Sequence, residues 1–398
     1  MKLWGAALLF TGVLIAQTAS VEQAWTLLRE GRRAEAVILL RQLIGENAAN
    51  ADARLLLGSV LMEDGQRDES IAQLTEAVRL RPRSAEAQNA LGEAYNAFDD
   101  PKSARAPFER AIGINPRFAT ARVNLGAVLI QTGELTAAAA QLDQAIALIG
   151  EKQDAAYPFY LRAKIYTERG EVDKATAALK KATSLQPDFA EAWSDLGDAY
   201  RKAGDDSDAL AAFERAVRIS PDDPVAQTRL ATELLSQNRA HEAVDHFETA
   251  LRLSPSDQSA LSGLQRALRK DGQPEKADEV KRRLADSLHE RDLSDQNSMT
   301  AIRLNNEGAA LEKNGDFKAA AEKYRQALEL DPAHNGIRVN LAVALLRTGD
   351  WKTGLELLRD AVHRDPENAT LKTALADALE QAPVEFGGKG KTRGSNQP

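Results

Sequence analysis

The chain reads as an all-α protein, a solenoid of about ten helix-turn-helix units, and three observations carry that reading. A 34-residue period recurs from residue 17 to residue 368, with two short interruptions. Each period keeps a small residue, a glycine and often a proline at fixed places. Between these markers large apolar residues fall three and four apart, which sets them on one face of a helix, and no strand-like alternation competes.

The clearest unit is residues 190–223, AEAWSDLGDAYRKAGDDSDALAAFERAVRISPDD, with markers at Trp193, Leu196, Gly197, Tyr200, Gly204, Ala209, Phe213, Ala216 and Pro221. The same frame gives units starting at 17, 51, 85, 119, 156, 190, 224, 258, 301 and 335. This pattern resembles the tetratricopeptide repeat family over about 340 of the 398 residues. The resemblance implies a right-handed α-solenoid of about ten tetratricopeptide helix-turn-helix repeats, closed by a C-terminal capping helix.

Each marker has a physical reason. Position 20 of the unit is always small (Ala36, Ser70, Ala104, Ala138, Ala175, Ala209, Ala243, Ala277, Ala320, Gly354), because two helices crossing closely leave no room for a larger side chain. Position 8 is Gly or Ala in every unit except the eighth, which has Gln265. Position 15 ends the first helix and is Gly in eight units, with Asp99 and Asn238 in the other two; these types best tolerate a left-handed cap. Proline at position 32 (Pro82, Pro116, Pro187, Pro221, Pro255, Pro332, Pro366) lacks an amide hydrogen and stops the second helix. Large apolar residues are expected at positions 4, 7, 11 and 24.

Taken in order, residues 1–20 read as a signal peptide: Lys2, an apolar run from Leu3 to Ala16, then small and polar residues. That run is shorter than the roughly 20 residues that span a bilayer, so no membrane insertion is expected after cleavage, placed between Ala16 and Ser20. Units one to eight occupy residues 21–291, with a three-residue insert at 153–155. Unit eight lacks Gly at position 8, a large residue at position 24 (it has Lys281) and the proline at 32. The segment 292–300, DLSDQNSMT, is then either a hinge or a lengthened helix. Units nine and ten fill 301–368, ATLKTALADALE begins a capping helix over 369–382, and 383–398 reads as a disordered tail.

Cysteine is absent, so a lipoprotein signal and disulfides are excluded. The formal net charge is -8 and there is no polybasic block, which speaks against nucleic acid and anionic membrane as partners. The repeats leave no room for a separate catalytic domain, and no cofactor is expected. Gly390, Lys391 and Thr392 look like the end of a phosphate loop, but Glu385 replaces its first glycine and only six residues follow. In HEAVDH, His241 and His246 are five apart, one too many to share a helical face for zinc, so no metal is expected.

Function is therefore sought on the surface. The resemblance implies that ligands lie against the concave wall of first helices, at positions 2, 5, 6, 9, 12 and 13 of each unit. The candidate partner-binding residues are Asn89, Glu93, Asn124, Tyr157, Tyr160, Lys164, Glu191, Asp195, Asp198 and Arg201, after which the wall turns basic at Arg229, Arg266, Arg269 and Lys270. The family's carboxylate clamp is missing: Asn124 occupies its middle place, between Asn89 and Glu93 on one side and Tyr157 and Leu161 on the other. Asn306 and Asn340 repeat Asn at position 6, which resembles an asparagine ladder but also belongs to the bare repeat pattern. Tyr157 and Tyr160 are binding anchors or the cover of the three-residue insert. Unit six carries nine acidic and four basic residues, and unit eight six and eight, a gradient that would orient a partner or simply solvate two faces.

The expectation is an exported, non-enzymatic scaffold, periplasmic or secreted, that binds a partner protein or extended peptide on its concave face. Two alternatives stand beside it. One is a structural subunit of a cell-envelope assembly, held through the convex face or the ends. The other is a targeting subunit for a separate glycosyltransferase-type enzyme.

Overall fold

A computed structural model of the chain describes residues 20–365, 368–383 and 386. The expected signal peptide, save Ser20, and most of the expected tail, with its phosphate-loop-like residues, lie outside the described residues. Among the described residues there are twenty α-helices, one short 3-10 turn and no strand.

The helices come in antiparallel pairs, one pair to each expected unit, except that units eight and nine share one long helix. Unit one is α1 (Val21–Arg29) and α2 (Arg33–Glu46), unit two α3 (Ala51–Glu63) and α4 (Arg67–Leu80), and unit three α5 (Ala85–Ala97) and α6 (Pro101–Ile114). Unit four is α7 (Ala119–Gln131) and α8 (Leu135–Ile149); the 3-10 turn Gln153–Ala155 follows. Then come α9 (Ala156–Glu168) with α10 (Val172–Leu185), α11 (Ala190–Ala203) with α12 (Asp206–Ile219), and α13 (Pro224–Ser236) with α14 (Ala240–Leu253). Unit eight opens with α15 (Gln258–Lys270), and α16 (Pro274–Lys313) runs through 292–300 as one helix of 40 residues. The last elements are α17 (Phe317–Leu330), α18 (Asn335–Thr348), α19 (Trp351–Arg364) and α20 (Ala369–Gln381). The chain forms two compact units, one ending at Ala121 and one starting at Arg122, and consecutive helices pack on one another along each in the manner of an α-solenoid.

The turns follow the residue chemistry. All eight glycines at position 15 have positive φ, and so do Asp99 (58°) and Asn238 (65°), so the left-handed cap is kept even where a side chain must be accommodated. At the start of α1, Ser20 and Gln23 form a reciprocal capping box, with bonds of 3.1 and 3.2 Å.

The core is a repeated contact. Every position-20 residue is buried. Position 24 lies against position 8 of the same unit: a Cβ on Gly92 or Gly197 would stand 2.6 Å from the ring of Phe108 or Phe213, and one on Gly308 2.7 Å from Tyr324. Each ring is almost wholly buried, a contribution of about 1.5–3 kcal/mol, and glycine is what lets the ring approach. Unit seven solves the problem differently. Its position 8 is Ala231, and Phe247 turns to Gly263 in the next unit, where a Cβ would meet the ring at 2.3 Å.

Position 7 departs from the expected apolar pattern in three units. It is a buried leucine in units two, three, four, six, seven, eight and ten, but Gln23, Arg162 and Glu307 in units one, five and nine. These are the first unit of the chain and the two that follow an interruption. Arg162 reaches back to α8, pairing with Asp143 and donating to the Ala139 carbonyl at 3.4 Å. Glu307 instead accepts from Lys323 at 2.7 Å and Arg303 at 2.5 Å.

In α16 the buried residues are Ala277 and Val280 near one end and Ala301, Leu304 and Gly308 near the other. The twenty residues between Val280 and Ala301 bury none, while Leu288, Leu293 and Met299 are exposed. At the C-terminus α20 covers α18 and α19, with Leu375, Ala378 and Leu379 against Leu355 and Leu358, and Phe386 packs on the same cluster.

Candidate partner-binding site

The first helices of units five, six and seven bring most of the expected residues together. Tyr157 and Tyr160 lie on the first turns of α9, where Ala155 and Ala156, both fully buried, close the insert. Tyr157 is 46% exposed and stacks on Tyr160 at 6.2 Å between centroids; Tyr160 in turn meets Phe189 at 4.9 Å. Lys164, one turn on, holds its ammonium 5.6 Å from the centre of the Tyr160 ring.

On α11, Glu191, Asp195, Asp198 and Arg201 follow one another at spacings of three and four, so they line one face. Arg229 on α13 links them: it donates to Ser194 at 2.8 Å and Asp195 at 3.0 Å, and its Nε stands 3.3 Å from Asp198. Arg201 holds the other side of Asp198 at 2.5 Å. Burial pushes the Asp198 carboxyl above its ordinary range, and the two guanidiniums pull against that shift. Burial likewise raises the Tyr160 hydroxyl, helped by the Asp195 and Glu191 charges and by a hydrogen bond to Asp195, so the phenol stays protonated.

Beside this network opens a cleft of about 450 Å3, walled by Lys164, Glu168, Asp195, Asp198, Arg201, Lys202 and Arg229 over a floor of Val172, Ala175 and Ala199. An apolar floor with charged walls can hold an extended chain by its side chains, and Lys164 in the wall reaches over the Tyr160 ring. Basic residues in the last turn of α11 also favour that helix end, so Arg201 and Lys202 serve the fold as well.

Three of the expected residues lie elsewhere. Asn89 is buried on α5 and donates to Glu93 at 2.9 Å, both in the compact unit ending at Ala121. Asn124 is half-buried on α7, away from the cleft. The asparagine ladder is also altered, since Asn340 donates to Asn305, not Asn306, at 2.9 Å. His241 meets Asp271 at 3.4 Å and His246 meets Gln227 at 2.7 Å, so the two histidines of HEAVDH part company.

Sequence reasoning gave Arg229 only as the start of a basic stretch, whereas it is the hub of the network. Its position 6, shared with Asp195 one unit earlier, was the available signal. Trp25 was missed as well. At position 9 of unit one it is 53% exposed beside Glu22, Leu55 and Ser59, in a cleft of about 550 Å3.

Paired helices, buried small residues at each crossing and a side-chain-lined wall define an α-solenoid of the protein-interaction class. A family model described as Tetratricopeptide repeat matches residues 21–66, 57–116, 99–159, 160–224 and 228–288, and a second of the same description matches 311–378. The chain belongs to the tetratricopeptide repeat family, whose repeats bind protein or peptide partners as scaffolds. No curated protein matches it. Among solved structures it is similar to pilF of Pseudomonas aeruginosa, at 18% identity over 55% of this chain and 97% of that one, with a TM-score of 0.49. A tetratricopeptide repeat protein from Parabacteroides merdae aligns at 17% identity over 62% and 97%, also with a TM-score of 0.49. PilW, described as a type IV pilus biogenesis factor, aligns at 18% over 54% and 98%, again at 0.49. Likeness at this level carries no function across.

Proposed function

We propose that the protein is an exported, non-enzymatic scaffold that takes an extended segment of a partner protein along the first helices of units five to seven. The observation that carries this is the exposed Tyr157 stacked on Tyr160, over which lies Lys164, a lining residue of the cleft held by Arg229. A half-exposed aromatic pair on a rigid helix wall is the kind of anchor on which binding energy concentrates. The periplasm or the exterior is the proposed address, from the character of residues 1–20. Cleavage N-terminal to Ser20 would keep the α1 capping box, and the intact mass of the chain recovered from a periplasmic extract checks it.

The binding test is a pull-down from that extract with the purified protein, compared with a variant carrying Tyr157→Ala, Tyr160→Ala, Glu191→Ala, Asp195→Ser and Asp198→Ser. A partner kept by the first and lost by the variant, with the variant's circular dichroism unchanged, supports the assignment. Equal retention moves the interface to the convex face or the ends.

A further inference from the structure

The charges around the shelf are not equally engaged. Arg229 is committed to Ser194, Asp195 and Asp198, and Arg201 to Asp198. Lys164 has laid its ammonium over Tyr160, which shows that this aromatic surface accepts a cation. Glu191, on the first turn of α11, is exposed and has no ion-pair partner among the described residues. Phe189, two residues before it, packs on Tyr160 at 4.9 Å between centroids, which brings the first turn of α11 to that ring. Stacked on Tyr160, Tyr157 offers a ring that is 46% exposed and has no cation over it among the described residues. An electron-rich ring face and an unpaired carboxylate on neighbouring helices are complementary to one kind of side chain.

We propose that the partner segment carries a lysine or arginine, seated on the open Tyr157 ring of the shelf and paired with Glu191. This rests on the first-helix wall being the docking face, and it adds the chemistry of what docks there. The ring supplies a cation–π contact and Glu191 the counter-charge, while the fixed Arg229 network keeps Asp195 and Asp198 from competing for the same cation.

The test uses a random dodecapeptide display library selected on the purified protein. Selected peptides are then titrated against the wild type, Tyr157→Ala, Glu191→Gln and, as a control on α14, Glu248→Gln. The expected result is a shared basic residue whose replacement by norleucine weakens binding about tenfold. Glu191→Gln should weaken the basic peptide by a similar factor and leave the norleucine peptide unchanged, with Glu248→Gln without effect. If peptides lose binding in Tyr157→Ala but share no basic residue, or are indifferent to Glu191→Gln, the cation assignment falls while the docking face stands. If they bind Tyr157→Ala and Glu191→Gln as well as the wild type, the docking face falls with it.

Discussion

The two interruptions of the repeat are resolved in opposite ways. After unit four, three extra residues become a 3-10 turn: Gly150, at φ 73° and ψ -155°, ends α8, and α9 resumes the stack with Ala155 and Ala156 buried. After unit eight, nine extra residues become more helix, and the second helix of one unit runs on as the first helix of the next. The difference lies in the stop signals. Ahead of the first break, at position 32 of unit four, stands Gly150, in a backbone region that other residues avoid. Between Pro274 and Gly308 the second contains neither glycine nor proline, and His289 stands where the stopping proline belongs. At these two interruptions, the one with a helix-breaking residue ahead of it becomes a turn and the one without becomes helix.

Position 7 offers the sharpest way to break this comparison. Leu196→Arg would place in a continuous part of the stack the charge that unit five carries at its joint, and we expect a loss of about 3–5 kcal/mol in urea unfolding. The reciprocal Arg162→Leu should stay within about 1 kcal/mol of the wild type, since a leucine fits that place elsewhere and Asp143 is already well exposed. Equal costs would mean that the joint is packed like any other interface.

Ser298→Pro should cost about 3 kcal/mol locally, because it removes a hydrogen bond inside α16. Hydrogen exchange of amides around residues 294–302 reads this, and no acceleration would argue against a continuous helix in solution. Gly150→Ala tests the other joint and should cost about 1–3 kcal/mol, seen as a lowered Tm, because alanine does not tolerate that backbone conformation. The smallest effect is one of pH. His246 in unit seven is held below its ordinary pKa by burial, so its unfolded form binds protons more readily. Its contribution to stability is therefore present above the unfolded value of about 6.5 and lost as pH falls through the folded value. His246→Gln should flatten the urea midpoint between pH 7 and pH 5; an unchanged slope would show that burial there is relieved by other groups.

The fold was legible because its rules are local: a small residue at a crossing, a left-handed cap at a turn. Even so, position 7 was read as uniformly apolar, and Arg162 and Glu307 show that the rule lapses in the units that follow an interruption. Gly263 was invisible for a related reason, since its ring comes from the preceding unit while the frame looks only within a unit. The site was partly legible. Residues on α9 and α11 fall together because fixed positions share a wall, but which charges neutralise which depends on side-chain reach, and Arg229 gained its role only through geometry.

The Phe247 and Gly263 contact bears on how such a chain can be shortened or recombined. Ending the chain at 257 removes Gly263, against which the Phe247 ring lies, together with Leu261 and Leu264 of the same buried cluster. Repeats seven and eight thus share one core. A deletion or transplant that respects the 34-residue ruler there would still sever a core.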